Sequence, residues 1–128
     1  MSEERYRSLK WTITLGTMPG YGETKQDRIP KDKFVDLFRD IALIVEKDTG
    51  IYISCVFYDS VTVYKTEWGC TEEGELTYTL TGSCNRAFTD TDGYLEALKL
   101  LARKLKERLN QSTILLEIMP MEEFYFKD

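Results

Sequence analysis

The chain has 128 residues, a net charge of −5, 42% hydrophobic and 30% charged residues, and no histidine. This length suits one domain with its own core and no covalent staple, and the composition is that of a folded chain. The acidic balance argues against general binding to a phosphate backbone, and without histidine a Ser-His or Cys-His nucleophile pair is excluded.

Residues 1–8 are polar and are expected to be a loose N-terminus. Leu9, Trp11, Ile13 and Leu15 then alternate with Lys10, Thr12 and Thr14, the signature of a half-buried strand. The segment 16–29 holds Pro19, Gly20 and Gly22 and reads as a long loop, with Tyr21 and Arg28 its most contact-capable side chains. Pro30 suits a helix start, and Phe34, Leu37, Phe38, Ile41, Ile44 and Val45 recur at helical spacing up to the stop at Gly50. A helix is therefore expected over 31–47.

Residues 51–58 are rich in β-branched and aromatic side chains, and strand character resumes over 61–64. The spacing leaves open whether Asp59-Ser60 bends one strand or separates two. Thr71-Glu72-Glu73-Gly74 reads as a hairpin turn, followed by an alternating strand over 75–81. Asp90-Thr91-Asp92-Gly93 precedes a second helix with the stripe Leu95, Leu98, Leu101, Leu105 and Leu109. A last strand is expected over 113–119, stopped by Pro120, with an acidic aromatic tail over 120–128.

This order, β-α-β-β-α-β, predicts a single α+β domain of ferredoxin-like topology, with two helices on one face of an antiparallel sheet. The opposite face would carry Thr12, Thr14, Tyr52, Ser54, Tyr58, Thr77 and Thr79, open or covered by another subunit.

The chemistry-bearing motifs are sparse. Asp90-Thr91-Asp92-Gly93 lacks the further ligands of a calcium loop and is better read as a helix cap. Cys55, Cys70 and Cys84 are odd in number and widely spaced, which fits neither a disulfide framework nor a zinc site. The glycines of 16–22 match no phosphate-binding or dinucleotide motif. No metal or cofactor is thus expected. The first residues lack the apolar stretch of a signal peptide, and no apolar run reaches the ~20 residues of a membrane span. The expectation is a cytosolic protein with reduced thiols.

Glu67-Trp68-Gly69, the strand 75–81 and Asn110-Gln111-Ser112-Thr113-Ile114 together resemble a family of small uncharacterised bacterial domains with ferredoxin-like topology. The likeness spans most of the chain, although that family's proline-aromatic segment after the first helix is missing here. It implies the fold and carries over no functional residue.

The resulting expectation is a non-catalytic acidic binding protein, akin to inhibitors or sequestering proteins of phages and mobile elements. Its acidic stretches 67–75 and 117–128 would meet a basic protein partner, and its open sheet face would self-associate. Nucleic acid is not expected, because threonines stand where RNA-binding modules of this topology stack bases on aromatics. An alternative is a homo-oligomer that binds a small aromatic, anionic or nucleotide-like ligand enclosed by Tyr21, Arg28, Tyr58, Tyr64 and Trp68, with Tyr52, Thr12 and Thr14 as contact candidates on the open sheet face. A further alternative is an enzyme whose Tyr, Asp, Glu and Cys residues only folding brings together.

Overall fold

The strict alternation of 9–15 forms the second half of a strand, β1 (Ser2–Gly16), in which Leu9, Trp11, Ile13 and Leu15 are all buried. The computed structural model of the chain describes residues 1–16 and 29–128. The expected contact residues Tyr21 and Arg28 lie outside the described residues. Helix α1 spans Lys31–Thr49 and ends at Gly50, whose φ of 80° is a left-handed conformation that glycine adopts without strain. Strand β2 spans Val56–Thr62, β3 spans Glu75–Ser83, helix α2 spans Thr91–Arg108, and β4 spans Leu116–Lys127.

The four strands form one antiparallel sheet in the order β2-β3-β1-β4. This is the α+β, ferredoxin-like arrangement. Asp90 caps α2 by accepting the Gly93 backbone N–H at 2.8 Å, as the cap reading of that motif requires. Helix faces at 3.6-residue spacing present Phe34, Phe38, Ile41 and Val45 of α1 and Leu98, Leu101 and Leu105 of α2 to the sheet. Phe34, Phe57 and Tyr78 form an aromatic cluster with ring centres 4.6–5.5 Å apart.

Trp11 is the largest fully buried side chain. It stands opposite Gly82 in the β1–β3 register, and a Cβ on Gly82 would lie 2.8 Å from its ring. Its indole N–H donates to the Tyr94 hydroxyl at 2.8 Å, which satisfies the polar atom of each ring inside the core.

Three expectations need correction. Residues 51–55 stay outside the ladder, and β2 runs unbroken through Asp59-Ser60. Tyr52 and Ser54 do not join the open sheet face. They line a 200 Å³ cleft with Val35, Phe38 and Arg39 of α1. The segments read as a loose N-terminus and a tail instead pair with each other, from Ser2↔Lys127 to Ser8↔Met121, in a ribbon that extends past β3. Opposite charges explain the pairing: Arg5 with Glu122, and Lys127 with Glu4 at 3.0 Å. Pro120 is tolerated because β4 is an edge strand.

Burial pushes the Tyr94 hydroxyl from its ordinary 10 up to about 12. An unfolded chain therefore ionises there first, so the stabilisation is complete below pH 10 and is lost between about pH 10 and 12. Tyr94→Phe is expected to cost about 1–3 kcal/mol at neutral pH by leaving the Trp11 N–H unpaired. In denaturant titrations across pH it should also lose this part of the alkaline fall in stability.

Candidate functional site

At the C-terminal end of β1 the open sheet face deepens into a cavity of 360 Å³. Four segments meet there: the end of β1, the exit of β2 with the short 3-10 turn Thr66–Trp68, the start of β3, and the connection from α2 to β4. The ferredoxin-like order forces this meeting, because β1 and β2 end, and β3 and β4 begin, at the same end of an antiparallel sheet.

Each wall has a local cause. Gly74 has a φ of 87°, and a Cβ there would lie 2.5 Å from Val61, so the turn into β3 requires glycine. Its N–H bonds the Thr71 carbonyl at 3.0 Å, and the Thr71 hydroxyl returns to the Gly74 carbonyl at 2.6 Å. Glu75 follows directly and is delivered into the cavity. Helix α2 ends on Asn110, whose φ is 51°, with the Asn110 N–H bonded to Glu107 and the Gln111 N–H to Lys106. This closing motif turns the chain back and aims 111–115 at the cavity. Buried Cys70 steadies the β2 exit, taking the Tyr64 N–H at 3.5 Å and facing the Thr62 carbonyl at 3.9 Å.

Gly16 is the floor of the site. A Cβ placed on it would lie 2.8 Å from a Glu75 carboxylate oxygen and 2.9 Å from the Gln111 carboxamide oxygen, so both side chains converge above this residue. Tyr64 and Trp68 supply aromatic walls, and Thr14, Thr62 and Thr77 supply hydroxyls. Trp68 is 68% exposed, with the Lys65 ammonium 5.8 Å from its ring centre. Glu75 is the one charged side chain among the described residues that line the cavity.

The expected site residues divide accordingly. Thr14, Tyr64 and Trp68 meet in the cavity. Thr12 lines a separate, smaller groove of 110 Å³ with Lys10, Glu117 and Met119. Tyr58 is exposed on the sheet face, and Tyr52 belongs to the cleft beside α1. Glu75, Gln111 and the role of Gly16 were not singled out from the sequence. The signal that marks them is topological: a turn glycine just before Glu75, and a helix exit just before Gln111, at the end of the sheet where β1 stops.

A thiol nucleophile has no support in the geometry. Burial pushes Cys55 up to about 12 and raises Cys84, and both thiols lie outside the cavity. Among the described residues no group of His, Cys, Asp and Glu side chains could hold a metal ion. No described helix is long and apolar enough to cross a membrane.

Comparison with solved structures finds two phage proteins of the same fold. A phage SAM lyase in complex with S-methyl-5′-thioadenosine has a TM-score of 0.56 and 15% identity, covering 91% of this chain and 88% of that one. A phage SAM lyase in the apo state has a TM-score of 0.63 and 14% identity, covering 95% of this chain and 91% of that one. At such identities the likeness carries the fold. No curated protein matches the chain.

A family model described as SAM lyase matches residues 6–127. This match overturns the expectation of a non-catalytic inhibitor or sequestering protein, and the alternative of an enzyme assembled by folding fits better. The acidic stretches have a physical explanation that needs no basic partner. Glu75 faces the cavity, Glu122 pairs with Arg5, and Glu123 accepts the Arg86 backbone N–H at 2.6 Å. The suspected relatives, uncharacterised bacterial domains, give way to a family named for an activity: the chain belongs to the SAM lyase family.

Proposed function

We propose that this chain cleaves S-adenosylmethionine in the cavity at the end of β1, releasing 5′-methylthioadenosine. The observation that carries the reading is the convergence of Glu75 and Gln111 over Gly16, inside a cavity walled by Tyr64 and Trp68. S-adenosylmethionine carries a sulfonium and an α-ammonium. Glu75, the one carboxylate among the described lining residues, and the aromatic faces suit both cations, the first through the rings and the second through Glu75.

The reaction breaks the bond between sulfur and Cγ of the amino-acid side chain, and its electron pair stays on sulfur as a neutral thioether. The carbon fragment closes on itself: an oxygen of the substrate's own α-carboxylate attacks Cγ and forms a five-membered lactone. No proton moves and no water enters, so a chain without histidine needs no general base. The positive sulfonium and negative carboxylate neutralise each other along this path, which a partly desolvated cavity favours. The protein's contribution is to fold the substrate so that carboxylate and Cγ meet, a proximity effect of large intramolecular advantage. Glu75 anchors the α-ammonium and thereby sets the direction of the carboxylate beside it. Trp68 and Tyr64 hold the adenosine portion by stacking.

The same reading places the protein with its substrate in the cytoplasm, where its free thiols stay reduced. We also propose that Val56, Tyr58 and Met119, exposed on the sheet face, are covered by a second copy of the chain. Light scattering should then give a mass above the monomer; a monomer at every concentration and salt overturns that part.

Three outcomes test the reaction. Incubation of the full chain with S-adenosylmethionine in ¹⁸O-water should give 5′-methylthioadenosine and an unlabelled lactone as first products. An unsaturated amino acid would assign proton abstraction, and a labelled product would assign direct hydrolysis; either overturns ring closure. Glu75→Gln is expected to lower kcat/KM about 100-fold, the loss of one charge-assisted contact. Gly16→Ala should raise KM severalfold while leaving stability within about 1 kcal/mol, because it displaces only the ends of two flexible side chains.

A further inference from the structure

The open face of β2 and β3 carries a ladder of hydroxyls behind the cavity. Thr79 donates to Ser60 at 2.9 Å, Ser60 and Thr77 share a bond of 2.7 Å, and Thr77 and Thr62 share one of 3.2 Å. Thr77 and Thr79 are 3% and 6% exposed, so these two hydroxyls are shielded from water although they lie on the face expected to be open, while Ser60 and Thr62 are half-buried. Thr62 and Thr77 line the cavity, whereas Ser60 and Thr79 do not.

A hydroxyl has one proton and two acceptor positions, so the two shared bonds admit few arrangements. If Thr77 donates to Ser60, then Ser60, which is only half-buried, accepts twice and its own proton is left to solvent, outside the ladder. If Ser60 and Thr62 both donate to Thr77, the nearly buried Thr77 proton is the one left over. If Ser60 donates to Thr77 and Thr77 to Thr62, every bond inside the ladder is made and each polarises the next. The remaining proton then belongs to Thr62, at the cavity wall. Thr62 is the direct cross-strand partner of Glu75.

We propose that Thr79, Ser60, Thr77 and Thr62 form a donor chain of fixed direction that makes Thr62 the hydrogen-bond donor for the substrate's α-carboxylate, with Ser60 as a positioning residue behind it. The inference rests on the reaction proposed above for this cavity. It matches the order of groups in the substrate: α-ammonium and α-carboxylate share one carbon, and Glu75 and Thr62 share one cross-strand pair. It also supplies a donor where no basic side chain lines the cavity among the described residues. A donor chain of this kind selects for an amino-acid carboxylate and against a methylthioadenosine product, which has none.

The test compares two ligands. Thr62→Val keeps the shape and removes the donor, and should raise KM for S-adenosylmethionine about tenfold, the worth of one hydrogen bond to a charged group. The dissociation constant of 5′-methylthioadenosine, measured by calorimetry, should stay unchanged. Ser60→Ala should shift KM in the same direction by about threefold, and Ser60→Thr should restore it, as expected for loss of cooperative support. Equal loss of both ligands, or an unchanged KM in both Thr62→Val and Ser60→Ala, overturns the assignment. Proton NMR of the ligand-free wild type tests the direction without any turnover. A slowly exchanging Thr77 hydroxyl proton with contacts to Thr62 supports the chain, and one directed at Ser60 overturns it. A wild type that neither binds nor converts S-adenosylmethionine removes the proposed reaction, and the carboxylate assignment with it, whatever the NMR direction.

Discussion

The antiparallel register of β1 with β3 sets Gly16 opposite Thr77, and everything in the cavity depends on that pairing. Because side chains alternate across a strand, a slip of one residue would turn Trp11, Ile13 and Leu15 out of the core and Thr14 into it. The core therefore locks the register, and the register places Glu75, two residues upstream of Thr77, above the end of β1. Trp11 fixes it most firmly, since its ring needs the missing side chain of Gly82 and its N–H needs Tyr94.

From this frame the site is assembled by chain turns. Gly74 and Asn110 adopt left-handed conformations immediately before Glu75 and Gln111, so each polar side chain leaves a sharply defined turn. The turns bring together residues far apart in sequence and leave a small cavity between them. Among the described residues its charge is one carboxylate amid aromatic rings and hydroxyls, a setting that suits a compact cation. Within the β1–β4 ribbon, Glu122 pairs with Arg5 and Glu4 with Lys127.

The fold was largely legible because its signals are periodic. The alternation of 9–15 and 75–81, the two amphipathic helices, the stop at Gly50 and the cap at Asp90 each depend on neighbours in the chain. The pairing of 2–8 with 121–127 was not legible, because it joins the two ends of the sequence and its stabilising contacts, Arg5 with Glu122 and Lys127 with Glu4, have no local signature. Part of the cavity lining was legible. Thr14, Tyr64 and Trp68 stood out as contact residues and lie in the cavity, while Glu75 read as one acid among 22 Asp and Glu residues. What distinguishes it is its place opposite Thr62 and above Gly16, a property of the folded sheet alone. The same holds for the proposed function: a ring closure that calls for no general base leaves no catalytic motif in a sequence.

The most direct test of the central claim, that the cavity at the end of β1 is the substrate site, is chemical-shift mapping of the full chain with 5′-methylthioadenosine. The account predicts saturable shifts at the Trp68 indole, the Gln111 side-chain amide and the Thr77 backbone, with the cleft around Tyr52 and Arg39 unmoved. Shifts confined to that cleft, or none at millimolar ligand, would contradict it.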